Sequence, residues 1–110
     1  MIRHIVLLNL PPEHDAAILL EALGLLDGLV AKVPGLLAFD HGPNHDFETK
    51  SQDYPYGFVV TFADRAAHLA YEAHPDHQRA GGLLVSLCSG GYDGIFVADL
   101  AVGDSPGHAT

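Results

Sequence analysis

Several strand-like stretches of this chain carry apolar side chains on both faces, and this limits the possible folds more than any single residue does. In residues 2–10, Ile2, His4, Val6, Leu8 and Leu10 share one face, while Arg3, Ile5, Leu7 and Asn9 share the other. Tyr56–Phe62 sets Phe58, Val60 and Phe62 against Val59, and residues 92–101 set Ile95 and Val97 against Phe96, Ala98 and Leu100. Helices can cover one side of such a sheet, and the second apolar side then needs another cover. The economical cover is the same face of a second copy, so the pattern predicts a homodimer joined through its sheet faces.

The segments between these strands define the rest of the fold. Pro11-Pro12 stops the first strand, and Leu19, Leu23, Leu26, Val30 and Val33 then recur at helical spacing within residues 13–33. Glu13 and Asp15 suit the positive end of that helix and Lys32 the negative end, before Pro34-Gly35 ends it. Gly24 and Gly28 inside the helix point to close packing there. A short strand over Leu36–Asp40 leads into a polar, turn-rich loop at 41–55. Asp64 is placed to cap a helix over Arg65–His74, Pro75 ends it, and a further helix over Asp76–Cys88 turns Leu83, Leu84 and Leu87 inward. The order β-α-β-β-α-α-β predicts an α+β, ferredoxin-like domain over residues 1–102, with an antiparallel four-stranded sheet and its helices on one face. Pairing of two copies makes a dimeric α+β barrel, and residues 103–110 form a flexible tail.

Charge and cysteine content exclude several functions. The 110 residues carry a formal net charge of −9. Nucleic acid and anionic membranes need clustered Lys and Arg, so neither is an expected partner. Cys88 is the single cysteine, which rules out a disulfide within one chain. With no signal peptide and no membrane-length apolar stretch, the expected location is the cytoplasm.

The unusual count is histidine, at eight residues, and these are partly gathered. The run Tyr71-Glu72-Ala73-His74-Pro75-Asp76-His77 places Tyr71 and His74 on one helical face, with Pro75 making a corner. His77 then falls in the first turn of the next helix, where the dipole favours the neutral imidazole that a general base requires. A neighbouring phenol can donate a hydrogen bond to a carbonyl or enolate oxygen. The same residues also read as a rigid helix–helix corner with Tyr71 in the core. His74, Asp76 and His77 are weak metal candidates because Pro75 breaks the helical spacing, and His41 and His45 lie in a loop. No metal ligand is assigned. His68 is expected to be an exposed helix residue, and His14, His41, His45 and His108 to be peripheral.

The opening Met1-Ile2-Arg3-His4-Ile5-Val6-Leu7-Leu8, Pro34-Gly35, Phe58-Val59-Val60-Thr61-Phe62 and Tyr71-x-x-His74-Pro75-x-His77 together resemble the stress-responsive α/β-barrel (Dabb) family over nearly the whole chain. The resemblance implies a ferredoxin-like fold dimerised through its sheets. In one plant member, olivetolic acid cyclase, a tyrosine and a histidine matching Tyr71 and His77 close a polyketide ring by an aldol-type step without metal or organic cofactor. A first-strand pocket histidine of that enzyme matches His4. At the start of the third strand, where the enzyme has a further histidine, this chain has Tyr56. The resemblance therefore implies His77 as base and Tyr71 as hydrogen-bond donor, with His4, His74 and Tyr56 facing a small apolar or carbonyl ligand and no cofactor. Three functions follow as expectations: a stress-related small-molecule-binding protein, a cofactor-independent lyase or cyclase, and a metal- or haem-binding barrel.

Overall fold

The computed structural model describes residues 1–103. Its elements are β1 (Ile2–Leu8), α1 (Ala16–Gly28), β2 (Leu36–Pro43), β3 (Tyr56–Phe62), α2 (Arg65–Ala73), α3 (Pro75–Leu87) and β4 (Ile95–Ala101). The strands form one sheet in the order β2-β3-β1-β4, with every neighbouring pair antiparallel. This is the expected α+β, ferredoxin-like arrangement. Among the described residues no helix is long and apolar enough to cross a membrane. Apart from Gly103, the tail expected at 103–110 lies outside the described residues.

Register explains the two apolar faces. Val6 lies between Phe58 and Val97, and His4 between Val60 and Asp99, on the side covered by helices. Ile5 lies between Val59 and Ala98, and Leu7 between Gly57 and Phe96, on the open side. On the helix side, Leu8, Val60 and Phe62 are fully buried against Leu23, Leu26 and Leu29 of the first helical segment and Ala80 and Leu84 of α3. On the open side, Phe96 and Leu100 stay about half exposed, at 48% and 51%. A β-carbon on Gly57 would come within 2.8 Å of the Leu7 side chain and 2.7 Å of the Val6 carbonyl, so β3 needs glycine to lie flat against β1.

Several boundaries differ from the sequence expectation. The first helix begins at Ala16 rather than residue 13, because Asp15 is its cap and accepts from the amides of Ala17 and Ile18. The second strand runs on to Pro43, which shortens the following loop. That loop holds itself together: Asp46 Oδ1 accepts from the Lys50 and Ser51 amides and the Ser51 hydroxyl, and Asn44 Nδ2 donates to Ser51 Oγ and the Tyr54 carbonyl. Gly24 and Gly28 do not mark close packing, since a β-carbon at either meets nothing within 4 Å. Gly24 is exposed inside α1. Gly24→Ala is therefore expected to stabilise the protein by about 1 kcal/mol through helix propensity alone. That corresponds to a melting temperature raised by about 4 °C or more, which calorimetry would read.

Candidate functional site

The inner face of β4 is only partly covered by the helices. Val97 faces them and is still 48% exposed. The space left over is a cavity of about 680 Å³ between the β1–β4 half of the sheet and helices α2 and α3. His4, His68, Tyr71, His77 and Asp99 line it, with Glu72 and Arg65 also on its wall.

The corner between α2 and α3 produces the closest pair of rings in this site. His74 is the residue before proline and adopts extended backbone, φ −70° and ψ 135°, so it ends α2 and caps α3. Its Nδ1 accepts the Asp76 amide at 3.0 Å. Lys32 holds the Asp76 carboxylate at 2.8 Å, which ties the corner to the chain following α1. The turn brings His77 back over Tyr71, with ring centroids 4.4 Å apart. Corner and site are thus one construction, and the two readings of this motif do not compete.

Tyr71 is almost fully buried and packs edge-on to Phe62, at 5.1 Å between ring centroids. Burial, aided by the Glu72 carboxylate, pushes its phenol well above the ordinary range, so it remains a neutral hydroxyl donor at any physiological pH. Burial likewise depresses His77, and His4 and His68 add to that effect. A backbone contact with Glu72 and the Glu72 carboxylate oppose it. His77 Nδ1 is buried and has no hydrogen-bond partner among the described residues.

His77 is therefore expected to titrate below its ordinary value of 6.5. Below that value the unfolded chain binds the proton more readily than the folded one. Its contribution to stability is thus complete above about pH 6.5 and is lost as pH falls through the lower folded value. Following the His77 ring protons by NMR against pH tests this directly. A midpoint at or above 6.5 would contradict it.

The remaining predicted residues separate. His4 is buried and lies beside its strand partner Asp99, with Nδ1 2.6 Å from Oδ1. His74 is committed to the corner and does not line the cavity. Tyr56 sits at the other end of β3, where its hydroxyl lies 2.7 Å from His41 Nδ1, also outside the cavity. His14 contacts the Pro11 carbonyl at 2.7 Å, and His45 stacks on the exposed Phe47. Among the described residues, neither His74 with Asp76 and His77 nor His41 with His45 gathers three ligand atoms.

His68 corrects the sequence expectation. It is 5% exposed rather than solvated, and its ring lies 5.2 Å from that of His4 and 5.3 Å from that of Phe62. Its Nε2 pairs with Glu72 Oε1 at 2.8 Å, one helical turn on. The signal for it was present in the sequence: His68 precedes Tyr71 by three residues and so shares its helix face. Asp99, the other residue missed, shares strand parity with Val97.

A family model for the stress responsive A/B barrel domain matches residues 2–102. Among solved structures, a dimeric ferredoxin-like protein of unknown function from Jannaschia sp. CCS1 is 53% identical, with a TM-score of 0.86 over 92% of this chain and 98% of that one. A protein from Arabidopsis thaliana is 22% identical, with a TM-score of 0.76 over 96% of this chain and 98% of that one. Hydroxynitrile lyase from Passiflora edulis is 14% identical, with a TM-score of 0.74 over 94% of each chain. The last two likenesses are of fold alone. No curated protein matches the sequence. With the family model spanning nearly all of the chain and its expected fold observed, this protein belongs to the stress responsive A/B barrel domain (Dabb) family.

Proposed function

We propose that the protein is a homodimeric small-molecule-binding protein that holds a small carbonyl compound in the cavity, with His77 as proton acceptor and Tyr71 as hydrogen-bond donor. The observation that carries this reading is the Tyr71–His77 pair, 4.4 Å apart on the wall of a cavity of about 680 Å³. That volume lies within the usual range for small-molecule pockets. A neutral imidazole at His77 can remove a proton from the carbon next to a carbonyl. The charge then develops on the carbonyl oxygen, where the un-ionised Tyr71 hydroxyl can stabilise it. The resulting enolate is the nucleophile of an aldol-type ring closure. In reverse, the same two groups serve a carbon–carbon lyase.

The dimer belongs to the same reading. Ile5, Leu7 and Val59 line a shallow hollow of about 270 Å³ on the open sheet face, beside the half-exposed Phe96 and Leu100. The Jannaschia relative, 53% identical, is described as dimeric. A second copy laid face to face covers this apolar surface.

The test needs no knowledge of the natural substrate. Small methyl ketones and 1,3-diketones incubated with the protein in heavy water should exchange their α-protons faster than in buffer, as followed by NMR. If no compound exchanges, and none transfers saturation from the protein, the carbonyl assignment is wrong. Binding without exchange would leave a binding protein and remove the proton-transfer role.

A further inference from the structure

We propose that His4, His68 and Asp99 form a binding site for a divalent transition-metal ion, of which zinc is the representative, on the wall of the same cavity. One ligating atom from each of the three lies within 4.8 Å of the other two. They come from three elements that the fold already holds together. His4 and Asp99 are register partners on β1 and β4, so their side chains leave the same face of the sheet side by side. His68 approaches from α2, with its ring centroid 5.2 Å from that of His4. Zinc bonds of about 2.0–2.2 Å place neighbouring ligand atoms roughly 3.3 Å apart. His4 Nδ1 and Asp99 Oδ1 stand 2.6 Å apart, inside that spacing, so the ion replaces their hydrogen bond, and the Asp99 side chain, 45% exposed on its edge strand, has room to swing aside and admit it.

A second observation also points to a ligand. His68 is buried, and its Nδ1 has no hydrogen-bond partner among the described residues. Buried polar atoms of folded proteins are nearly always paired, so one left over marks a place where something else binds. The other ring nitrogen is held by Glu72 at 2.8 Å. A carboxylate on the far nitrogen is the usual way a ligating imidazole is oriented and made more basic.

Charge and donor type select the ion. The cavity wall carries the carboxylates of Glu72 and Asp99 against the single guanidinium of Arg65, which favours a cation. Two imidazoles and one carboxylate suit zinc, iron(II) or manganese(II), whereas calcium and magnesium prefer oxygen donors. Three protein ligands leave further coordination positions open to the cavity, as in metal sites that handle substrate. Tyr71 and His77 take no part, so this proposal stands or falls separately from the proton-transfer reading.

Titrating the metal-stripped full-length protein with zinc chloride by calorimetry tests it. The expected result is one ion per chain, with affinity reduced at least tenfold in Asp99→Asn and in His68→Ala, and by a smaller factor in Glu72→Gln. Asp99 is half exposed, so Asp99→Asn keeps the test valid if His68→Ala fails to fold; thermal unfolding without metal checks each variant. A His41→Ala/His45→Ala variant should bind as the parent does. The proposal is overturned if no stoichiometric uptake occurs, if Asp99→Asn binds unchanged, or if the loss appears in the His41→Ala/His45→Ala variant.

Discussion

His77→Ala is expected to slow α-proton exchange of small ketones by about a hundred- to ten-thousand-fold, the usual worth of a positioned general base. The side chain is half-buried in the first turn of α3, and its ring packs against Tyr71. Its removal leaves the Pro75 corner and the His74 cap in place, so the fold should persist and the loss should fall on rate. Tyr71→Phe provides the partner measurement. It removes only the hydroxyl and keeps a ring that packs against Phe62, so it tests donation to the developing oxyanion without opening a core cavity. Loss of one such donor is worth about a hundred- to a thousand-fold. If wild type exchanges ketone protons and neither substitution slows it, the base lies elsewhere in the cavity. The His77–Tyr71 assignment would then be wrong even though the cavity binds carbonyls.

Local patterning announced most of the elements, and tertiary structure decided the site. Tyr56–Phe62 was readable because apolar residues fill both parities between Pro55 and the polar cap Asp64. The α2–α3 corner was readable because a proline restricts the residue before it whatever surrounds the pair. His68 was readable only in part: its spacing from Tyr71 gives the shared helix face, but Arg65, Leu69 and Glu72 beside it are exposed, and its burial comes from Phe62 and His4, which reach it from distant strands. Asp99 was hidden for a related reason. Its meeting with His4 depends on the register between β1 and β4, and a slip of one residue would put Ala98 or Leu100 there instead. Tyr56 shows the opposite error: it stands on the helix-side face of β3, but its hydroxyl meets His41 of β2, away from the β1–β4 half of the sheet that walls the cavity. Alignment with a family motif gave its position in the chain without giving its place along the sheet.

The open sheet face leads to the second large effect. Val59→Asp is expected to convert a dimer into a species of one 11.7 kDa chain in sedimentation velocity. Val59 lies opposite Ile5, which in turn lies opposite Ala98, so the substituted position falls in the middle strands of the apolar face. In a two-fold symmetric interface one substitution enters twice, and two carboxylates lose their water, each beside Asp40, the strand partner of position 59 on β2. The effective penalty is several kcal/mol per buried ion. Apolar burial of about 25 cal/mol per Å² across one sheet face does not absorb such a cost easily. The folded monomer would remain, because the core on the helix side of the sheet is untouched, but its melting temperature should lose the concentration dependence that a dimer shows. Leu20→Asp is the matched control: Leu20 is 67% exposed on α1, and the same charge there should change neither mass nor melting behaviour. A Val59→Asp protein that still sediments as a dimer would mean the copies meet through another surface. The two-sided apolar strands would then need a cover other than a second sheet.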